Sequence, residues 1–182
     1  LMVTSGVEKV TSGKVIIEGT NISSLNEDDL AVFRRDNIGI VFQSFHLIPT
    51  MTALENVSVP LEFAKIKNPF QIAKSVLEDV GLSSRADHYP SQLSGGEQQR
   101  VALARSFAVQ PKILLADEPT GNLDIENSKQ IIDLLFALNK KNMSTLLLIT
   151  HDLNLANHCD RVVVIEDGLI VSESKQDDYV EK

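Results

Sequence analysis

The chain has 182 residues, with 17 lysine and arginine residues against 25 aspartate and glutamate residues and a net charge of -8. Its 43% hydrophobic and 23% charged content is that of a globular protein, and the acidic balance argues against a generic nucleic-acid binder. The single cysteine, Cys159, excludes a disulfide framework, and no apolar run reaches the length of a membrane span, so we expect a cytosolic chain.

Short apolar runs alternate with helix-like stretches, which is the pattern of a mostly parallel α/β sheet. The first part of the chain predicts a strand at 15–17, a helix at 27–35 capped by Asn26, and a strand at 38–42. No strand is predicted from 43 to 110, only helices near 53–59, 70–80 and 95–109. Alternation then resumes with strands at 113–116, 145–149 and 162–165, helices at 126–139 and 153–158, and a hairpin turn at Asp167-Gly168 into 169–171.

An all-helical insert thus interrupts an α/β core. We predict a core subdomain formed by residues 1–42 and 110–182 and a helical subdomain formed by residues 43–109. The chain shows no internal repeat.

Two adjacent carboxylates end the apolar run at 113–116. A buried parallel strand would deliver Asp117 and Glu118 to its carboxyl end, where open α/β sheets bind ligands. Asp117 can then hold Mg²⁺, and Glu118 can orient a water and accept its proton. Alone, the pair could equally be solvated acids at a strand end. Asp124, after the next turn-rich loop, is locally explained just as well as the start of a helix.

A Ser-Gly-Gly-Glu run precedes the helix predicted at 95–109. Ser94 and Glu97 have the spacing of a capping box, which is a structural role. That role does not explain the consecutive glycines Gly95 and Gly96, which weaken a helix and are favoured where the backbone approaches another group closely. Because a helix N-terminus binds anions, a phosphate is the favoured ligand.

Single polar residues follow two further predicted strands. Gln43 comes after the strand at 38–42, and His151 comes after the strand at 145–149. Each residue alone is more often an ordinary loop residue. Because the carboxyl ends of parallel strands meet at one edge, both could join Asp117 and Glu118 around a metal, a water or a γ-phosphate.

The order and spacing of these motifs resemble those of ATP-binding-cassette (ABC) ATPases. The resemblance covers essentially the whole chain and rests most on the run at 93–99 and on the apolar strand that ends in Asp-Glu-Pro-Thr. Within the family, segments 42–50 and 116–124 resemble the branch of lipoprotein release and macrolide export. The resemblance implies an α/β fold: a P-loop NTPase (RecA-like) parallel-sheet core with an inserted all-helical subdomain.

The resemblance implies catalytic roles for Gln43, Glu118 and His151 and metal binding by Asp117 and Gln43, with ATP and Mg²⁺ as cofactors. Gln43 matches the Q-loop glutamine, which touches Mg²⁺ and the attacking water. Asp117 matches the Walker B aspartate that binds Mg²⁺, and Glu118 matches the general base. His151 matches the switch histidine, which contacts the γ-phosphate.

It also implies a dimer of ATPase subunits. Ser94, Gly95, Gly96 and Glu97 match the signature motif, which closes over the γ-phosphate of ATP bound to the opposite subunit. Asp124 matches the D-loop aspartate at the dimer interface. The two ATP sites of such a dimer are composite, so a monomer should hydrolyse ATP poorly.

Transmembrane permease subunits are the other implied partners, with the chain peripheral on the cytoplasmic side of the plasma (inner) membrane. The helical insert and segment 44–59 would form the groove that receives a coupling helix. Phe45, Leu47 and Ile48 are apolar residues in that segment, although packing onto the chain's own core explains them about as well. The membrane subunits would determine the transported substrate.

One expected motif is missing. Phosphoryl transfer in this fold needs Gly-x-x-x-x-Gly-Lys-[Ser/Thr], and the nearest string has Glu8 in place of the first glycine and Val15 in place of the hydroxyl. Residues 1–8 resemble the end of the helix that follows this loop, so the family's opening strands and lysine would precede Leu1. We therefore expect a core incomplete at its N-terminus, an exposed sheet edge, and little ATP binding or turnover by these 182 residues alone.

Two other functions stay open. The chain could be a non-transport ABC ATPase associated with DNA or ribosomes, although such proteins usually carry long coiled coils or two linked cassettes. It could also be a non-catalytic remnant that binds a partner, although the set of Asp117, Glu118 and His151 argues against this.

Overall fold

The strands and helices follow the predicted alternation in a computed structural model that describes residues 1–175. The strands are β1 (Ile16–Ile17), β2 (Thr20–Asn21), β3 (Ile38–Val41), β4 (Ile113–Asp117), β5 (Thr145–Ile149), β6 (Arg161–Glu166) and β7 (Leu169–Lys175). The helices are α1 (Glu27–Asn37), α2 (Ala53–Phe63), α3 (Pro69–Asp79), α4 (Gly95–Phe107), α5 (Ile125–Asn142) and α6 (Leu153–Ala156). No strand lies between 43 and 110, as predicted, and the bounds of β5 are those predicted.

A three-stranded parallel sheet with the order β3-β4-β5 forms the centre of the fold. Val41 is paired with Ala116, and Asp117 is paired with Ile149. Because all three strands run in one direction, their carboxyl ends meet at one edge of the sheet. This sheet confirms the predicted α/β class and brings the ends of β3 and β4 side by side.

The middle strand, β4, is buried on both faces. Leu114 and Ala116 belong to the large core that β4 shares with α2, α3, α4 and α5. Leu115 packs on the opposite face with Ile38 of β3 and Leu30 of α1. A slip by one residue would exchange the two faces, so the register of β4 is strongly specified.

Helix α4 lies directly on β3. A Cβ atom added at Gly39 would be 2.6 Å from the Ser106 carbonyl oxygen of α4 and 2.9 Å from Leu114 Cδ1. Only a glycine leaves room for a helix backbone at this distance from a strand. The sheet and α4 are therefore packed as one body at this point.

Side chains fix where the helices begin. Asn26 Oδ1 accepts a hydrogen bond from the Asp29 N–H at 2.9 Å, which confirms the predicted N-cap of α1. Thr52 with Glu55 forms a capping box at the start of α2. α4 starts with a capping box in the same way, so its N-terminal turn is held in a defined position.

The first residues of the chain form a turn that is not a phosphate loop. The Gly6 N–H donates to Val3 O at 3.1 Å and the Val7 N–H donates to Met2 O at 3.0 Å, with Gly6 at φ 68°. This is the Schellman pattern with which helices end. Further on, Gly13 and Lys14 lie in a loop ahead of β1, whereas a phosphate loop leads into a helix.

Contacts within the chain define two units, Leu1–Ile149 and a second unit that begins at Thr150. The second unit contains α6 and the β6–β7 hairpin. Asp167 and Gly168 have φ values of 49° and 78°, which confirms the predicted hairpin turn. Within residues 1–175, no helix is both long enough and apolar enough to cross a membrane.

Candidate functional site

The two adjacent carboxylates lie where β4 ends. Asp117 is the last residue of the strand and is half-buried. Glu118 follows with φ 44°, and its N–H donates to Ile149 O of β5 at 2.9 Å. Left-handed backbone is costly for a glutamate and persists where the surrounding structure enforces it, commonly at functional sites. The bond to β5 fixes the point at which the chain leaves the sheet.

Gln43 is joined to the loop that follows Glu118. The Asn122 side-chain amide donates to Gln43 O at 3.0 Å, and Gln43 Nε2 lies 3.4 Å from Asn122 Oδ1. A Cβ atom on Gly121 would be 2.6 Å from Gln43 Nε2, so the Gln43 amide lies directly against this glycine. The structure thus brings Gln43 and the loop after the two carboxylates together, as the shared sheet edge predicts.

The segment after Gln43 is held by two helices. The guanidinium of Arg105 in α4 donates to His46 O at 2.6 Å and to Phe45 O at 2.9 Å. Burial lowers the pKa of Arg105, but the guanidinium keeps its charge because arginine is not deprotonated in proteins. Asn56 of α2 is fully buried, and its Oδ1 accepts from the Ile48 N–H at 2.8 Å.

The sequence left two interpretations open for the apolar residues of this segment, packing onto the chain's own core and binding a partner, and the residues differ in which one applies. Leu47 packs against the large core. Ile48 is 36% exposed, and Phe45 is half-buried. Core packing therefore accounts for Leu47, whereas Ile48 remains accessible to a partner.

The side chain of Gln99 in α4 contacts the backbone next to Gln43 and the backbone of the loop after Glu118. It is fully buried, and its Nε2 lies 2.6 Å from Pro119 O and 3.5 Å from Phe42 O. Phe42 precedes Gln43, and Pro119 follows Glu118. One amide group of α4 is therefore placed between the backbones of the two loops.

The Ser94 and Glu97 capping box is confirmed. The Ser94 N–H donates to Glu97 Oε2 at 2.8 Å, and the Glu97 N–H donates to Ser94 Oγ at 3.3 Å. The other carboxylate oxygen of Glu97 accepts from Arg85 Nε at 2.9 Å. The Ser94 N–H and then Arg85 lower the pKa of Glu97 below its ordinary value of 4.5. This stabilisation is complete well above pH 4.5 and is lost as the pH falls through the folded pKa.

The two glycines of this run have different surroundings. A Cβ atom on Gly96 would be 2.7 Å from Asn127 Oδ1, whereas one on Gly95 would make an ordinary contact at 3.5 Å from Leu123 Cδ2. Gly96 is buried and Gly95 is exposed. Close packing of α4 on α5 therefore explains Gly96 without a ligand, and Gly95 is the glycine exposed at the helix N-terminus.

Asp124 caps α5. Its Oδ1 accepts from the Asn127 N–H at 2.9 Å and its Oδ2 accepts from the Asn127 side-chain amide at 2.6 Å. The backbone N–H of Asn127, followed by its side chain, lowers the pKa of Asp124. The helix-start interpretation is therefore confirmed, and a role at a subunit interface stays a prediction.

His151 belongs to the second unit. It is exposed and lies between the end of β5 and the start of α6, next to Asp152, whose Oδ1 accepts from the Asn154 N–H at 2.8 Å. The structure describes this unit by itself, so contact of His151 with a phosphate stays a prediction.

The donor set at the end of β4 fits Mg²⁺. Carboxylate oxygens are hard ligands, and Asp117 supplies one such group at the sheet edge beside Gln43. Within residues 1–175, no group of three or more histidine, cysteine, aspartate or glutamate residues could hold a metal ion by itself. Mg²⁺ is commonly held by one or two carboxylates and takes its remaining ligands from water and phosphates.

The fold is that of the α/β class of P-loop nucleoside triphosphatases, and comparisons with known proteins define the family. The family described as ABC transporter matches residues 1–121. The dimeric ABC cassette MJ0796, solved in a post-hydrolysis state with ADP and Pi, superposes with a TM-score of 0.86 at 41% identity, covering 96% of this chain and 78% of that one. The chain belongs to the ABC transporter family, and its fold is that of the family's ATP-binding cassette.

Relatives identified by sequence place the chain among ATP-binding subunits. It is 46% identical over 179 residues to the uncharacterized ABC transporter ATP-binding protein YbbA of Escherichia coli, covering 96% of this chain and 77% of that protein. It is 45% identical to the lipoprotein-releasing system ATP-binding protein LolD of Syntrophus aciditrophicus, and the match covers 89% of this chain and 74% of that protein. It is also 45% identical to the macrolide export ATP-binding/permease protein MacB of Rhodopirellula baltica, and the match covers 91% of this chain and 25% of that protein. The predicted resemblance to this branch is confirmed.

The two glycines predict different responses to alanine. Gly96→Ala should displace the Asn127 side chain and break the hydrogen bond between Asn127 and Asp124, at a cost of about 0.5–1.5 kcal/mol. Gly95→Ala should be neutral or stabilising, because alanine favours a helix over glycine by up to about 1 kcal/mol. Urea denaturation of both variants measures the difference. Equal stability of the two variants would contradict the packing of α4 on Asn127.

Proposed function

We propose that this chain is the ATP-hydrolysing subunit of an ABC transporter and that it energises export or extraction by membrane subunits. The observation that supports this most is the arrangement at the carboxyl edge of the sheet. The Gln43 loop and the loop after Glu118 are hydrogen-bonded to each other, and α4 is fastened to both. These are the three segments that resemble the Q-loop, the Walker B strand and the signature motif of the family.

Each residue has a chemical task in the proposed reaction. Glu118 would accept the proton of the attacking water, and the Gln43 amide would orient that water. Asp117 would hold Mg²⁺, which when bound neutralises charge on the phosphates. His151 would contact the γ-phosphate.

We propose that a second ATPase subunit completes each site. Ser94 and Gly95 are exposed at the N-terminus of α4, where backbone N–H groups favour an anion. Ile125, directly after Asp124, is an apolar residue that is 91% exposed. These residues would face the opposite subunit, as the dimeric state of the solved cassette supports.

We propose that the membrane subunits bind on the helical side of the chain, from the cytoplasmic face of the inner membrane. A groove of about 570 Å³ lies between α1, β3, α2 and α4. Its apolar lining includes Ile40, Val59 and Phe63, and Phe63 is 71% exposed. Together with segment 44–59, this groove would accept a short helix from a permease.

Replacement of the general base tests the hydrolytic function. Glu118→Gln removes the proton acceptor, so ATPase activity of the complete protein should fall by about 100-fold or more while ATP binding is retained. The matched control is Glu78→Gln, which changes an exposed carboxylate of α3 in the same way and should keep activity within about twofold. Wild-type activity in the Glu118→Gln variant would exclude this role.

Two exposed side chains at opposite ends of α5 test the subunit contact. Ile125→Lys should weaken the ATP-dependent dimer by about fivefold or more, because a charge would enter the interface. Met143→Lys is the control, since Met143 is 90% exposed at the other end of the helix. Analytical ultracentrifugation with ATP measures both. If Ile125→Lys dimerises like the wild type, the contact lies elsewhere.

Copurification from the native host tests the membrane partner. The wild-type protein should bring down a polytopic membrane protein, and Phe63→Asp should reduce its yield by about fivefold or more. Ile16→Asp is the control, because Ile16 is 62% exposed on β1 and does not line the groove. Copurification with ribosomes or DNA would favour a non-transport ATPase, and an unaffected Phe63→Asp variant would exclude this groove.

A further inference from the structure

Gln99 is a fully buried amide at the junction of three functional segments. Its Nε2 lies 2.6 Å from Pro119 O and 3.5 Å from Phe42 O. These carbonyl groups are next in sequence to Glu118 and to Gln43. A single side chain of α4 therefore touches the backbone beside Glu118 and beside Gln43, which are both proposed catalytic groups.

Chemistry fixes the orientation of this amide. Both neighbouring atoms are carbonyl oxygens, which accept hydrogen bonds, so the NH₂ group of Gln99 must face them. Its Oε1 is then buried, and it has no hydrogen-bond partner among residues 1–175. An unpaired buried polar atom is destabilising. The two carbonyl groups that the Gln99 NH₂ group satisfies are therefore the reason for a glutamine at this position.

The two hydrogen bonds differ in a way that suggests a role. The bond to Pro119 is short, so the loop after Glu118 is held tightly to α4. The bond to Phe42 is at the outer limit of hydrogen-bond distances, so it holds the backbone before Gln43 only weakly. Arg105 holds Phe45 and His46 to the same helix, which gives the Gln43 loop an attachment to α4 that does not need Gln99.

We propose that Gln99 is a positioning residue that fixes the Glu118 loop to α4 and so holds the proposed general base in place beside Gln43. It touches no substrate and acts through the Pro119 carbonyl. The kinetic part of this inference rests on the proposed ATPase function, whereas the structural part does not.

Gln99→Met provides the test, because methionine has a similar volume and no donor. In the complete protein, amide hydrogen exchange at Gly121 and Leu123 should rise by about tenfold while exchange within α4 stays unchanged. With the membrane partner present, kcat should fall by about tenfold or more and KM for ATP should stay within about twofold. The control is Gln130→Met, which removes a hydrogen bond between Arg100 of α4 and α5 but touches neither loop, and should change none of these values.

Each outcome decides the inference. Unchanged exchange at Gly121 and Leu123 would overturn it. Faster exchange throughout α4 and β4 would also overturn it, because Gln99 would then serve only stability. If the wild-type protein does not hydrolyse ATP, the proposed function fails, and the exchange measurement alone still tests whether Gln99 holds the loop.

Discussion

The fold depends on the burial of β4 on both of its faces. Leu114 and Ala116 face one core, Leu115 faces the other, and β3 and β5 occupy both lateral sides of the strand. A strand so enclosed has one register, and this fixes the place where its carboxyl end emerges. The Glu118 N–H donates a hydrogen bond to Ile149 O of β5, and this bond to the sheet stabilises the left-handed backbone of Glu118. Two adjacent carboxylates, Asp117 and Glu118, are therefore held at one edge of the sheet.

Helix α4 connects this edge to the rest of the first unit. It lies on the sheet at Gly39, on α5 at Gly96, and on the two loops through Gln99 and Arg105. Its N-terminus remains exposed while the rest of the helix is packed. Such a helix can present its N-terminal residues to a second subunit while Gln99, about one turn further along, holds the loop after Glu118. This arrangement gives a physical reason why nucleotide sites shared between subunits could respond to each other.

The sequence predicted what depends on local pattern and missed what depends on distant contacts. Apolar periodicity found the strands of the sheet, and cap spacing found the starts of α1 and α4, because both are encoded within a few residues. The bond of Asn122 to Gln43 joins residues 79 positions apart, and no local pattern indicates it. Gln99 did leave a signal: it lies three residues after Gly96 and four before Leu103, on the buried side of α4, where a polar residue needs a partner. The different surroundings of Gly95 and Gly96 depend on the position of Asn127 beside Gly96, which no local pattern indicates.

The most direct test of this account is an experimental structure of the complete protein with ATP and Mg²⁺, with Glu118→Gln used to prevent turnover. The account predicts that Mg²⁺ binds at Asp117, directly or through water, and that the γ-phosphate lies against Ser94 and Gly95 of a second copy. It also predicts that Gln99 remains hydrogen-bonded to Pro119 O. A nucleotide bound away from the carboxyl end of β4, for example in the groove between α1 and α4, would contradict the assignment of the site.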